Sequence, residues 1–208
     1  MERGFFITLE GTDGVGKTTQ IGLLKEFLED KGYTVYVTRE PGGTPISEKL
    51  REILLDKSNS EMTDVTEMMI YAASRAQLVA ERIEPALRQG EIVICDRFVD
   101  SSVAYQGYGR GLGDRVRSVN AYATNGLEPD VTFFLDLNPK EGRARIGKEV
   151  QDRLEQEKLD FFYRVYDGYL DLCQKYPERM VRIDASRSIE EIQKNMRDVL
   201  SERMKGLQ

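Results

Sequence analysis

Eight consecutive residues, Gly11-Thr12-Asp13-Gly14-Val15-Gly16-Lys17-Thr18, satisfy the spacing G-x-x-x-x-G-K-[ST] at every fixed position. Each residue type has a physical reason to be there. Glycine allows backbone conformations that a Cβ forbids, so several N–H groups can turn inward on an anion. Lys17 opens a helix, where the positive end of the helix dipole adds to its ammonium charge. The Thr18 hydroxyl stands where Mg²⁺ needs an oxygen ligand. The stretch reads as a phosphate-binding loop. The bland alternative, a glycine-rich turn with an accidental lysine, is disfavoured by the strand pattern before it and the helix pattern after it.

Other charged residues follow directly on apolar runs. Arg39 and Glu40 are one such pair, Asp96 and Arg97 another. Beside a phosphate loop, a carboxylate at a strand end commonly holds Mg²⁺ and an arginine a second phosphate. Thr18, Asp96 and Glu40 are therefore the candidate metal ligands; the competing reading is a salt bridge capping the sheet edge. A basic segment carries Arg143, Arg145, Lys148 and Arg153 among Glu149, Asp152 and Glu155. By composition alone this is a solvated helix face. A kinase, however, needs cations that close over the transferring group and exclude water, and Gly142 and Gly147 within the segment suit a lid. Tyr71 and Arg75 lie four apart and so share one helix face, as do Ser102, Tyr105 and Gln106. An aromatic plate ringed by donors and acceptors suits a flat, hydrogen-bonding base; half-buried core tyrosines are the alternative.

The elements that must hold these residues follow from periodicity. Apolar or β-branched runs predict strands over 5–9, 33–38, 91–95, 131–136 and 179–184. Helical patterns cover 17–31, with Ile21, Leu24 and Leu28 inward, then a segment from Pro45 carrying Ile46, Leu50, Ile53 and Leu54. The longest runs from 63 to 89 with Val65, Met69, Ala72, Ala76, Val79 and Ile83 on its apolar face, and Pro85 predicts a kink near its end. Met68 and Leu78 fall off that stripe, which allows a dimer contact. Further helices are expected at 100–106, 114–125, 139–148, 156–175 and 188–204, with a glycine loop over 107–111. Five strands separated by helices predict a parallel α/β sheet with helices on both faces. Ligands of such sheets bind at the carboxyl ends of the strands. That rule gathers the loops 10–17, 39–43, 96–98, 136–139 and 184–187 at one edge.

Composition removes several alternatives. The chain has 208 residues, a formal net charge of −6 and no histidine. One domain over 1–208 is expected, without a cationic footprint for nucleic acid, and with neither histidine metal sites nor imidazole bases. Cys95 and Cys173 lie far apart and read as buried, inert thiols. No apolar run reaches the ~18 residues of a membrane span, and the N-terminus lacks a signal-peptide profile, so a soluble, cytoplasmic protein without membrane attachment is expected.

With these residues in place, the chain resembles the bacterial thymidylate kinases nearly end to end. The matching segments are Leu9-Glu-Gly-Thr-Asp-Gly-Val-Gly-Lys-Thr-Thr-Gln20, Thr38-Arg-Glu-Pro-Gly-Gly43, Tyr71-Ala-Ala-Ser-Arg75, Asp96-Arg97-Phe98, Asp100-Ser-Ser-Val-Ala-Tyr-Gln-Gly107, Asn125-Gly-Leu-Glu-Pro-Asp130 and Asp152-Arg-Leu-Glu155. The resemblance implies a P-loop NTPase fold with a short mobile lid, roughly 141–155, and transfer of the ATP γ-phosphoryl to dTMP with Mg²⁺. It implies that residues 11–18 hold ATP phosphates, with Asp184 and Ala185 alongside adenine. Asp13 would meet the sugar 3′-hydroxyl of dTMP, and Arg97, Arg39 and Arg51 its phosphate. Tyr71 would stack on thymine, Arg75, Ser102 and Gln106 would read its edge, and Tyr105 would crowd the ribose 2′ position. Some members carry an arginine in the loop where this chain has Gly14; lacking it, this chain resembles those that supply the cation from the lid. Candidate catalytic groups are thus Lys17, Arg97, Asp13, Arg143, Arg145 and Arg153. A homodimer is implied as well. The rival readings are a kinase for another nucleoside monophosphate and a non-catalytic nucleotide switch.

Overall fold

The computed structural model describes residues 3–146 and 152–205. Its centre is β1 (Phe6–Glu10), every residue of which is buried. β2 (Val35–Arg39), β3 (Ile92–Asp96), β4 (Val131–Asp136) and β5 (Met180–Asp184) complete one parallel sheet in the order β2-β3-β1-β4-β5. The five expected strands are all present, displaced by no more than two residues at an end. β1 to β4 are joined by helical crossovers, as parallel pairing requires.

Alternation along β1 divides the core. Ile7 and Leu9 point to one face, packed with Leu24 and Leu28 of α1 (Lys17–Glu29) and with Ile192, Met196 and Leu200 of α9 (Ile189–Arg203). Phe6 points to the other, against Leu78, Ile83 and Phe98. Thr8 shares the Phe6 side and is satisfied by a 2.7 Å hydrogen bond between its hydroxyl and that of Thr132 on β4. Arg179 donates to the Thr132 hydroxyl at 2.7 Å and to Asp100 at 2.6 and 2.9 Å, so the buried polar atoms form one connected chain. A sheet covered on both faces buries every position of its central strand, so the polar residues of β1, Thr8 and Glu10, are buried too and need protein partners. β2 is an edge strand and only partly covered; Val37 is 37% exposed.

Two helices present faces other than expected. In α2 (Pro45–Leu55), Leu54 is buried but Ile46 and Ile53 face outward. In α3 (Asp64–Leu78) and the turn after it, Ala72, Val79 and Ile83 are buried as expected, but Val65 and Met69 are exposed, and Met68 and Leu78 are in the core and so offer no dimer contact. The helix is rotated because Glu67, Ser74 and Arg75 take buried positions, and polar residues do not register in an apolar count. The run then continues through a π-helical turn, Val79–Ile83, into α4 (Glu84–Arg88). That turn, ahead of Pro85, is the expected irregularity. α5 (Val99–Ser102) likewise passes into a π-helical segment, Val103–Gly109, where a loop from Gly107 was expected. Gly109 serves close packing there: a Cβ would come within 2.6 Å of the Phe161 ring on α8 (Leu159–Lys175). α6 (Arg115–Ala123) and α7 (Pro139–Ile146) match the remaining predicted helices. Cys95 is buried, but Cys173 is only half-buried.

Candidate active site

Two adjoining cavities open at the carboxyl ends of the strands. The first is lined by Lys17, Thr18, Arg39, Asp96 and Arg145. The second is lined by Tyr71, Arg75, Ser102, Tyr105, Gln106 and Phe162. Asp13, Glu40, Arg51 and Arg97 belong to both walls. The cleft therefore has an anion-binding chamber, an aromatic chamber, and a charged partition between them.

The anion chamber is built by the loop between β1 and α1. Gly11, Gly14 and Gly16 all have positive φ, which L side chains rarely adopt. Thr12 is buried, and Val15 anchors the loop in the core. Lys17 is buried and curls back, its Nζ donating to the carbonyls of Gly11 at 3.3 Å and Thr12 at 3.2 Å. Burial and the charge of Arg97 pull its pKa below the ordinary lysine value. A phosphate can supply better acceptors than those carbonyls. Thr18 is exposed to the chamber, and Asp96 Oδ1 is buried without a hydrogen-bond partner. Mg²⁺ needs few protein ligands when phosphate and water complete its shell, so this hydroxyl and orphaned carboxylate oxygen fit the ion. Glu40, the third candidate ligand, is paired with Arg75 in the aromatic chamber, and its charge is neutralised there instead.

α7 lies across the loop. A Cβ on Gly142 would be 2.8 Å from the Asp13 carbonyl oxygen, so this glycine of the expected lid segment is a close contact with the loop. Alanine at 142 must lift α7 by a few tenths of an ångström. We expect Gly142→Ala to lower turnover about tenfold, since a 1 Å misplacement of reacting groups costs on the order of a hundredfold in rate. Gly22→Ala, which meets open space, should leave turnover unchanged in the same assay.

Arg97 forms the partition. It sits at φ 68°, a left-handed conformation costly for a residue with a Cβ. In that conformation its guanidinium donates to Asp13 at 2.7 Å and to Ser101 at 3.3 Å. Burial raises the Asp13 carboxyl, but the charges of Arg97 and Lys17 outweigh it and hold the pKa at about 2. Asp13 is thus an ionised acceptor at neutral pH. Arg39 donates to Glu48 and to the Pro41 carbonyl, and Arg51 to the same carbonyl at 3.0 Å, which draws both cations to one loop.

The turn that carries Arg97 is held by Glu10, which the sequence reading passed over. Its carboxylate accepts from Phe98 N at 2.8 Å, from Tyr169 at 3.0 Å and from Ser101. Burial first, then the charge of Asp100, pushes the Glu10 carboxyl up to about 7, against the Ser101 hydrogen bond and the charge of Arg97. The folded state therefore prefers protonated Glu10. That contribution is complete below the ordinary value of 4.5 and is lost as pH rises through about 7. Thermal unfolding of wild type and Glu10→Gln between pH 5 and 8 checks this: Tm of the variant should rise relative to wild type as pH increases.

The lid arginines are not gathered together. Arg145 lines the anion chamber and donates to the Ala185 carbonyl at 3.4 Å, which ties it to the 184–187 loop. Arg143 instead lies over the Phe162 ring and donates to the Glu157 carbonyl at 2.8 Å. Arg153 donates to Leu54 O at 2.9 Å and to Glu67 at 2.7 Å. Both guanidinium groups have found protein acceptors away from the phosphate loop. Lys148, Glu149 and Gly147 of the expected lid lie outside the described residues. Asp184 spends its carboxylate on Ser186 and Arg187, while Ala185 is buried.

In the aromatic chamber, Arg75 is only 1% exposed. It donates to Ser102 Oγ at 3.0 Å, to Phe98 O at 3.0 Å and to Asn120, besides its ion pair with Glu40. Tyr105 presents an unpartnered buried hydroxyl, and Arg97 lies over its ring. Phe162 was missed as a wall residue, and Asn120 and Glu67 as the partners of Arg75 and Gln106; lone polar or aromatic residues on helices give no local signal.

A parallel sheet in this order, with this loop between β1 and α1, defines a P-loop NTPase. The family model described as thymidylate kinase matches residues 9–196. A thymidylate kinase of an Exiguobacterium species is 54% identical over 203 residues, covering 97% of this chain and 96% of the relative. One from Lactobacillus delbrueckii subsp. bulgaricus is 52% identical over 195 residues, covering 91% and 92%. The crystal structure of thymidylate kinase from Ehrlichia chaffeensis superposes with a TM-score of 0.79 at 34% identity, over 95% of this chain and 99% of that one. The chain belongs to the thymidylate kinase family.

Proposed function

We propose that this protein transfers the γ-phosphoryl group of ATP to dTMP, giving dTDP and ADP, as a step toward DNA precursors. The observation that carries this reading is the partition: Arg97, bonded to Asp13, lines both chambers. A donor phosphate on the loop and an acceptor phosphate in the second chamber would meet at one guanidinium. Lys17 holds the donor phosphates, Arg97 with Arg51 and Arg39 orients the acceptor, and Arg145 reaches in from α7. Asp13, ionised, accepts the sugar 3′-hydroxyl. Tyr71 and Phe162 form the walls around the base, and Tyr105 crowds a 2′ substituent. Phosphoryl transfer is chiefly positioning and charge neutralisation, so a chain without histidine lacks nothing the reaction needs. Mg²⁺, held by Thr18 and Asp96, would neutralise charge between the phosphates.

Residues 1–208 are read as one kinase unit with a lid near 141–155. Among the described residues no helix is long and apolar enough to cross a membrane, which suits a cytoplasmic enzyme. The exposed Ile46, Ile53, Val65 and Met69 of α2 and α3 form the face we assign to a homodimer, and light scattering tests it. ADP release with ATP against dTMP, dUMP, dCMP and dGMP tests the activity. Preference for dTMP is expected. Clear preference for another acceptor would overturn the substrate, and slow hydrolysis independent of acceptor would favour a nucleotide switch.

A further inference from the structure

Glu67 lies on α3 and is 1% exposed, outside the chemistry assigned above. Its Oε1 accepts from Gln106 Nε2 at 2.9 Å, and its Oε2 from Arg110 Nη2 at 3.1 Å and Arg153 Nη2 at 2.7 Å. We infer that Glu67 is the positioning residue that sets base specificity, by dictating which end of the Gln106 amide faces the substrate. The inference rests on the proposed transfer to a pyrimidine nucleotide.

A carboxylate flanked by two guanidinium groups is ionised and accepts only. Burial opposes ionisation here, yet the hydrogen bond and charge of Arg110, with the bonds from Gln106 and Arg153, hold the carboxyl below its ordinary value. Gln106 must therefore present its NH₂ to Glu67. Its Oε1 has no hydrogen-bond partner among the described residues, and the side chain lines the aromatic chamber. The chamber receives an acceptor from this residue.

Arg75 supplies the complementary half. A guanidinium has five donors. The two Nη groups are spent on Ser102, Asn120, Phe98 O and Glu40. Nε is left buried without a partner. One fixed acceptor and one unspent donor match a base with N3–H beside a 4-oxo group. A 4-amino pyrimidine carries a bare N3 and an amino group, which sets acceptor against acceptor and donor against donor. Buried groups left unpaired in this way discriminate strongly. The device sorts 4-oxo from 4-amino pyrimidines and is indifferent to the 5-methyl group.

Glu67→Gln is nearly isosteric but can offer either end of its own amide to Gln106. Steady-state kinetics with dTMP, dUMP and dCMP should show kcat/KM for dTMP falling about tenfold, chiefly through KM. The dTMP:dCMP ratio should fall by at least about tenfold and the dTMP:dUMP ratio should hold. A purely structural role would lower all three acceptors together, and that result overturns the inference. If Glu67→Gln does not fold by circular dichroism, Arg110→Gln loosens the same carboxylate from outside the chamber. It should shift the dTMP:dCMP ratio in the same direction, and an unchanged ratio in the folded variant is equally fatal. Wild-type preference is measured first. If wild type rejects dTMP, the proposed function has failed; if wild type prefers dTMP and the variant ratio is unmoved, only the role of Glu67 has failed.

Discussion

Alanine in place of Arg97 lowers turnover at least about a hundredfold while ATP affinity stays within about twofold of wild type. The expectation comes from where the guanidinium sits. In the proposed mechanism Lys17 and the loop backbone hold the donor nucleotide without help from Arg97. Arg97 is bonded to Asp13, lines both chambers, and lies over Tyr105. Its charge is therefore placed where negative charge concentrates as two phosphates approach. The left-handed backbone at φ 68° is a second sign, because residues with a Cβ are held in such conformations only when their surroundings enforce them. Glu10, Ser101 and Leu9 do so here. Stopped-flow binding of ATP and steady-state turnover, measured on the same preparation, separate the two effects. Near-normal turnover would remove Arg97 from the mechanism.

Arg75→Leu is expected to lose about 3–5 kcal/mol of stability, the usual consequence of stranding one partner of a buried ion pair. Burial already pushes the Glu40 carboxyl up to about 7 beside Arg75, so without Arg75 this side chain, at 5% exposure, must take up a proton to stay buried, and Ser102, Asn120 and Phe98 O each lose a donor. Tm should drop by roughly 10 °C, given about 2–4 °C per kcal/mol for a chain of this size. Adding Glu40→Gln to Arg75→Leu removes the stranded carboxyl and should recover part of the loss. Urea denaturation of both single variants and the double variant gives the coupling energy. Additive losses would show that Arg75 and Glu40 do not depend on each other.

What could be read from the chain differs sharply between local and non-local features. The phosphate loop and its flanking elements were legible because strand, turn and helix signals lie within residues 5–31 and agree with one another. Sheet composition was legible for the same reason, since each buried strand is a short continuous apolar run. The face of α3 was not. Of the stripe Val65, Met69, Ala72, Ala76, Val79 and Ile83 reached by counting, Ala72, Val79 and Ile83 are buried, yet Val65 and Met69 are exposed while Glu67, Ser74 and Arg75 are turned inward with Met68 and Leu78. The burial of Glu67 and Arg75 depends on Gln106, Arg110, Asn120 and Arg153, at separations of 39 to 86 residues. Nothing within the helix announces those partners. The same limit hid Glu10 as the residue that fixes the Arg97 turn, and hid the protein acceptors that hold Arg143 and Arg153 here.

The edge position of β2 has a consequence for the life of the protein in a crowded cell. An exposed, half-covered strand is a template on which a foreign strand can grow. β2 is five residues long, ends in the charged Arg39, and is followed at once by Glu40 and Pro41, so the template is short and closed by a residue with no N–H. The segment that gathers Arg39 and Arg51 on the Pro41 carbonyl is also what keeps the sheet from recruiting neighbours. Variants that straighten it, such as replacement of Pro41 by a β-branched residue, put solubility and catalysis at risk together, and selection on either would preserve both.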